Sequence, residues 1–195
     1  MLIQAFDIRK KALGDNHLDT ATSINDLAIL YENKRDYSKA ESLQIQALEI
    51  YRKILGDNHP KTALLINNLA SLYYRKGDYS KAEPLYIQAL EIRKRILGDN
   101  HPDTTTSIDS LAKFYGAKGE YDKAEFLFIQ ALKIRRQILG YNHPDTINSL
   151  QNLGLIYIDK GEYSKANPLL IQALEIRKKI LGDNHLDTAT SKNNL

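Results

Sequence analysis

Leu13-Gly14-Asp15-Asn16-His17 returns as Leu55-Gly56-Asp57-Asn58-His59, Leu97-Gly98-Asp99-Asn100-His101, Leu139-Gly140-Tyr141-Asn142-His143 and Leu181-Gly182-Asp183-Asn184-His185. Glycines 14, 56, 98, 140 and 182 stand 42 residues apart each time. A fixed period of this length specifies stacked copies of one supersecondary unit rather than a single closed globule. Each copy then touches only its neighbours, and the core runs as a stripe along the stack.

Between two motifs the apolar residues follow a helical period. Ile66, Leu69, Ala70 and Tyr73 fall at i, i+3, i+4 and i+7, one face of a helix. Ile24, Leu27, Ala28 and Tyr31 repeat it, as do Ile108, Leu111, Ala112 and Tyr115, and Leu150, Leu153, Gly154 and Tyr157. This is helix A. Gly77, Gly119 and Gly161 follow it, where a left-handed backbone closes a helix. Arg35 stands there in the first copy, which predicts a strained turn.

Helix B is predicted from Tyr79 to Leu97, with Ala82, Leu85, Tyr86, Ala89, Leu90 and Ile96 as its buried stripe. Ser80 to Glu83 and Ser38 to Glu41 read as capping boxes, with Asp122 to Glu125 a close variant that Asn167 breaks in the fourth copy. Pro84 and Pro168 read as first-turn prolines, where a missing N–H costs least. Arg93-Lys94-Arg95 places cations at the negative end of the helix dipole, and Gly98 ends the helix. Pro102 then starts the next helix A; Leu18 and Leu186 take the proline's place at the two ends. Ala28, Ala70, Ala112 and Gly154 on helix A, and Ala40, Ala82, Ala124 and Ala166 on helix B, let the axes approach closely. Glycine at 154 costs about 1 kcal/mol of helix propensity against alanine, which a tight contact would offset.

Leu69-Ala70-x-x-Tyr73 followed by Gly77, Tyr79, Ala82, Tyr86 and Ala89 resembles the tetratricopeptide repeat. The interval of 42, rather than the roughly 34 of the common form, is similar to the kinesin light chain type. So are Ile66-Asn67-Asn68-Leu69-Ala70, Gln88-Ala89-Leu90-Glu91-Ile92-Arg93 and Leu97-Gly98-Asp99-Asn100-His101-Pro102. The resemblance covers essentially the whole chain. It implies an all-α, right-handed α-solenoid, a superhelix of stacked antiparallel helix pairs. Residues 1–195 then form a single array: a half repeat over 1–16 (helix B only), complete repeats over 17–58, 59–100, 101–142 and 143–184, and the start of a further helix A over 185–195. Neither end carries a polar capping helix, so self-association through the uncapped ends, or membership of a longer array, is expected.

The resemblance also implies a non-catalytic scaffold for a protein or peptide partner, bound in the concave groove lined by the A helices. Opposite the apolar face of helix A lie Leu64, Asn67, Asn68, Ser71, Tyr74 and Arg75. The first copy offers Thr22, Asn25, Asp26, Ile29, Glu32 and Asn33; the third Thr106, Asp109, Ser110, Lys113, Gly116 and Ala117. The fourth offers Asn148, Gln151, Asn152, Leu155, Ile158 and Asp159. An amide offers donor and acceptor together and so pairs with any extended backbone. The expected partner-binding residues are Asn25, Asn67, Asn68, Ser71, Arg75, Lys113, Gln151 and Asn152. Arg75 and Lys113 offer charge to an acidic peptide, as in kinesin light chains, while Asp26, Glu32, Asp109 and Asp159 oppose a uniform acidic preference. The plainer reading of the same residues is a solvated helix face.

Other chemistry is disfavoured. There is no cysteine, which excludes disulfides and thiol chemistry and fits a cytoplasmic location. A net charge of +3 is too small to argue for nucleic acid. No apolar run approaches the ~20 residues of a membrane span, so no membrane partner is expected. The opening residues copy Leu170 to Lys178 and so read as repeat rather than as a targeting signal. His17, His59, His101, His143 and His185 invite a metal reading, but ligands of one zinc must each come within ~2 Å of it, and repeats are too far apart. Capping is their plainer role. His101, Asp103 and Ser107 hold the residue types of a nucleophilic triad, yet they recur in every copy as helix-start chemistry, so no catalytic residue is expected. No glycine-rich phosphate loop is present and no cofactor is expected. Arg9-Lys10-Lys11, Arg52-Lys53, Arg93-Lys94-Arg95, Arg135-Arg136 and Arg177-Lys178-Lys179 would form a basic ridge for phosphates. No aromatic platform accompanies it, so nucleic-acid binding and a purely structural spacer remain the rival readings.

Overall fold

The computed structural model describes residues 2–193, with every side chain except that of Asn193. Met1, expected in the first helix B, and Asn194 and Leu195, expected in the last helix A, lie outside the described residues. Ten helices are described and no strand among the described residues: α1 (Leu2–Leu13), α2 (Leu18–Asn33), α3 (Tyr37–Leu55), α4 (Pro60–Lys76), α5 (Tyr79–Leu97), α6 (Pro102–Ala117), α7 (Tyr121–Ile138), α8 (Pro144–Asp159), α9 (Tyr163–Leu181) and α10 (Leu186–Asn193). Even-numbered helices are the A helices and odd-numbered ones the B helices, and α5 has the predicted bounds.

Two compact units divide the chain, Met1–Asp99 and Asn100–Leu195. In the first, α2 packs on α3 and α4 on α5 as helical hairpins, with α1 against α2 and α3 against α4. In the second, α6 packs on α7 and α8 on α9, with α7 against α8 and α9 against α10. The alanines expected at close approaches are fully buried at 28, 70 and 112 and at 40, 82, 124 and 166. At Gly154 a Cβ would lie 2.7 Å from Leu170 Cδ2, so the lost helix propensity is matched by a contact no alanine permits.

The repeated motif is a hinge with three fastenings. Its glycine ends helix B at positive φ, +85° at Gly56, which suits a residue without Cβ. Its histidine is the N-cap of helix A: Nδ1 of His17, His59, His101, His143 and His185 accepts from the backbone N–H two residues on, at 3.1–3.2 Å. A buried threonine one step further ties the ends together. Thr20, Thr62, Thr146 and Thr188 donate their hydroxyls to the carbonyls of Gly14, Gly56, Gly140 and Gly182 at 2.8–2.9 Å. Sequence reasoning gave the threonines no role, although Thr20, Thr62, Thr104, Thr146 and Thr188 share the period.

Gly77 closes α4 in the left-handed conformation, and Arg35 holds φ 62° at the matching turn, as expected. The start of helix B differs from expectation. Asp36 and Asp78, not Ser38 and Ser80, are the N-caps, accepting from the N–H of Lys39 and Lys81; Glu120 and Glu162 take their place with no side-chain cap bond. An aspartate one residue before the helix reaches those donors directly. Glu41, expected to close a capping box, instead accepts from the Tyr73 hydroxyl at 2.9 Å and pairs with Lys76 at 2.5 Å, so it fastens α3 to α4. Glu125 does the same for Tyr157 at 3.0 Å. With helix B starting at Tyr79 and Tyr163, Pro84 and Pro168 lie inside α5 and α9, beyond the first turn where they were expected, and each removes a helix hydrogen bond. Ile96 is 49% exposed; Ile92 and Arg93 occupy the buried stripe in its place.

Candidate binding wall on the A helices

Helix B carries a guanidinium inward rather than outward. Arg93, Arg135 and Arg177, expected on a solvated ridge, are only 3%, 8% and 7% exposed. Each stands four residues after a buried alanine, Ala89, Ala131 or Ala173, and so falls on the buried face. Arg135 Nη1 donates to Ser149 Oγ of the next helix A at 2.6 Å and pairs with the buried Asp109 of its own hairpin. Burial pushes the Asp109 carboxyl above its ordinary pKa, against the pull of Arg135. Arg177 donates to Ser191, and to Gln151 Oε1 and Asn148 Oδ1 at 2.6 Å each; burial lowers its pKa. Arg9 donates to Ser23 at 2.7 Å. The second copy uses a neutral seam instead. Tyr51 replaces arginine, Leu65 replaces serine, and the tyrosine hydroxyl meets Thr22 Oγ1 at 2.9 Å.

The next basic residue along each helix B is engaged as well. Lys10, Arg52, Lys94 and Lys178 pair with Asp15, Asp57, Asp99 and Asp183 of the motif that follows, at 2.9, 3.0, 3.7 and 3.6 Å. Where Tyr141 replaces the aspartate, Arg136 stacks over its ring at 5.3 Å. Exposed pairs of this kind contribute roughly 0–1 kcal/mol each. Lys11, Lys53, Arg95 and Lys179, the last cations of their runs, remain exposed.

The serines and histidines of the triad pattern are likewise separated by task. His17 caps α2 while Ser23 accepts from Arg9, and His143 caps α8 while Ser149 accepts from Arg135. Among the described residues no group of three or more histidine, aspartate or glutamate side chains is placed to hold a metal ion.

The eight expected wall residues divide by what they touch. In the first unit, Asn68 Nδ2 donates to Asn25 Oδ1 at 3.2 Å, joining α4 to α2. Ser71 hydrogen-bonds the Tyr86 hydroxyl, whose pKa burial pushes up to about 12. Arg75 Nε lies 2.9 Å from Glu32 Oε1. Glu32 is 7% exposed, and burial raises its pKa against the attraction of Arg75. Asn67 is half-buried beside them. In the second unit, Gln151 serves Arg177, whereas Lys113 and Asn152 make no hydrogen bond or ion pair among the described residues.

Lys113 and Asn152 line an open depression of about 180 Å³ between α6 and α8. Gly116, Ala117, Leu155 and Ile156 form its sides, Phe128 of α7 its floor, and Asp159 stands at its rim. Two periods earlier, Glu32, Arg75 and Gln44 take the places of Gly116, Asp159 and Phe128. Gln44 is 1% exposed, with neither amide atom hydrogen-bonded, where the other B helices carry Tyr86, Phe128 and Leu170. Sequence reasoning placed Gly116 on this wall but missed the depression, which needs a floor from another helix.

The tetratricopeptide repeat signature matches residues 1–53, 25–95, 62–136 and 105–179. The chain belongs to that family. Among solved structures, this tetratricopeptide chain is similar to BtubC (BKLC) from P. vanneervenii, with a TM-score of 0.77 and 26% identity, over 93% of this chain and 72% of the other. It is also similar to the nearly identical TPR-like repeats of a kinesin light chain-like protein from Podosopora anserina, with a TM-score of 0.73 and 29% identity, over 92% and 85% of the two chains. The apo form of RapI shares the fold at a TM-score of 0.77 and 20% identity, over 97% and 67%. The kinesin light chain-like repeat type read from the 42-residue period is thus the type the Podosopora anserina neighbour displays. No curated protein matches the chain. No helix among the described residues is long and apolar enough to cross a membrane.

Proposed function

We propose that this tetratricopeptide chain is a non-catalytic scaffold that holds an extended peptide or a partner helix along the wall of its A helices. One observation carries the reading. Many of the repeated polar residues are engaged within the chain: histidines as caps, threonines as hinge locks, arginines in the seams and one cation each of α1, α3, α5 and α9 against a motif aspartate. Asn152 and Lys113, by contrast, face an open depression with their donors and acceptors unspent. The family and its kinesin light chain-like neighbours support a protein partner over a phosphate ligand.

The test is partner capture from native lysate by the intact chain. Asn68→Ala with Asn152→Ala is expected to reduce capture at least about tenfold, the effect of losing a few well-placed contacts. Lys94→Glu with Lys178→Glu, on the basic edge, is expected to leave it unchanged. The reverse pattern would contradict the wall reading and favour the phosphate ridge.

A further inference from the structure

The depression between α6 and α8 has a chemistry of its own. Its floor and sides are apolar, through Phe128, Ile156 and Leu155. A Cβ on Gly116 would lie 2.8 Å from Ile156 Cδ1, so the glycine lets that side chain pack against α6 and form one side of the depression. Lys113 and Asp159 stand exposed at the rim, and neither forms an ion pair among the described residues. Cation and anion thus flank an apolar hole about the size of one aliphatic side chain.

We propose that this depression is a specificity pocket for one aliphatic side chain of an extended partner peptide, flanked in that peptide by an acidic residue on one side and a basic residue on the other. The inference rests on the wall reading and narrows it. Removing an isobutyl or thioether group from water supplies the affinity. The two opposite charges at the rim supply register and direction along the peptide rather than affinity. The equivalent place in the first unit cannot serve, because the Glu32–Arg75 pair occupies it over a polar residue, Gln44.

The probe is a degenerate nonapeptide library whose central residue is fixed in turn as leucine, methionine, serine or glutamate, retained on the immobilised intact chain. Leucine and methionine pools are expected to be retained at least about tenfold better than the serine pool, the effect of burying one such side chain. Sequencing of the retained pools is expected to show acid enriched on one flank and base on the other. Ala117→Leu, which enlarges an exposed lining residue, is checked for an unchanged melting temperature and is expected to bring the aliphatic pools down to the serine level. A charge swap, Lys113→Glu with Asp159→Lys, alters only exposed side chains and is expected to exchange the flanking preferences. Retention indifferent to the central residue, or flanks unmoved by the swap, would overturn the pocket and leave the wall reading standing. Retention of no pool by the native chain would overturn both.

Discussion

In the first unit Glu32 and Arg75 join across α2 and α4, with the buried amide of Gln44 at the equivalent of the floor position. At the same repeat positions in the second unit stand Gly116, Asp159 and Phe128, and a depression lies between α6 and α8. The seams differ in the opposite sense. Tyr51, Thr22 and Leu65 make a neutral seam in the first unit, whereas Arg135, Asp109 and Ser149 bury an ion pair in the second. The hinge motif meanwhile keeps its glycine, its histidine and its threonine in every copy. Hinge chemistry is held constant because each copy must turn the same corner. Wall chemistry varies from copy to copy, with Asn25 joined to Asn68 and Glu32 to Arg75 in one unit and Gln151 to Arg177 in the other.

The seam comparison gives the largest expected effect. Arg135→Ala leaves the buried Asp109 carboxylate without its cation and is expected to cost about 3–5 kcal/mol. Tyr51→Phe removes one neutral hydrogen bond and is expected to cost about 1 kcal/mol. Urea unfolding of both variants checks the contrast, and equal costs would show that the two seams are energetically alike. Next comes the floor. Gln44→Leu restores the apolar residue found at Leu170 and is expected to stabilise the chain by about 1–3 kcal/mol, the cost of leaving buried polar atoms unpaired. Loss of stability would mean that Gln44 is held by contacts an apolar side chain cannot replace.

Smaller effects sharpen the comparison between hairpins. Arg35→Gly gives the first turn the residue of the other three and is expected to add about 1 kcal/mol, relieving a left-handed backbone that only glycine adopts freely. Glu41→Gln tests the fastening between α3 and α4. The hydrogen bond from Lys76, foremost, and that from Tyr73 hold the Glu41 carboxyl below its ordinary pKa of 4.5. Its contribution is therefore present above pH 4.5 and lost as pH falls through the lowered folded value. The melting temperature of Glu41→Gln should lie below that of the native chain at neutral pH, and the gap should close in acid. A gap that widens in acid would reverse the assigned sign.

Most of the fold was legible because the 42-residue period fixes where every helix starts and stops. The bounds of α5 and the strained turn at Arg35 followed from pattern alone. What misled was local resemblance. Ser80 and Glu83 imitate a capping box, yet Asp78 lies closer to the free N–H groups and takes them. Arg93 sits in a basic run that looks solvated, although its spacing from Tyr86 and Ala89 already placed it on the buried face. A serine 14 residues after each seam arginine carried the same signal. The wall amides were found, but their pairing was not. Asn25 with Asn68, and Gln151 with Arg177, are contacts between helices that no single period reveals.

The most direct test of the wall as the binding surface is an amide NMR titration of the isotope-labelled intact chain with its retained peptide pool. The side-chain amides of Asn68 and Asn152 and the backbone amides around Lys113 and Gly116 should shift together and saturate, while the solvent faces of α3, α7 and α9 stay still. Saturable shifts confined to those B-helix faces, with the amides of Asn68 and Asn152 unmoved, would contradict the account.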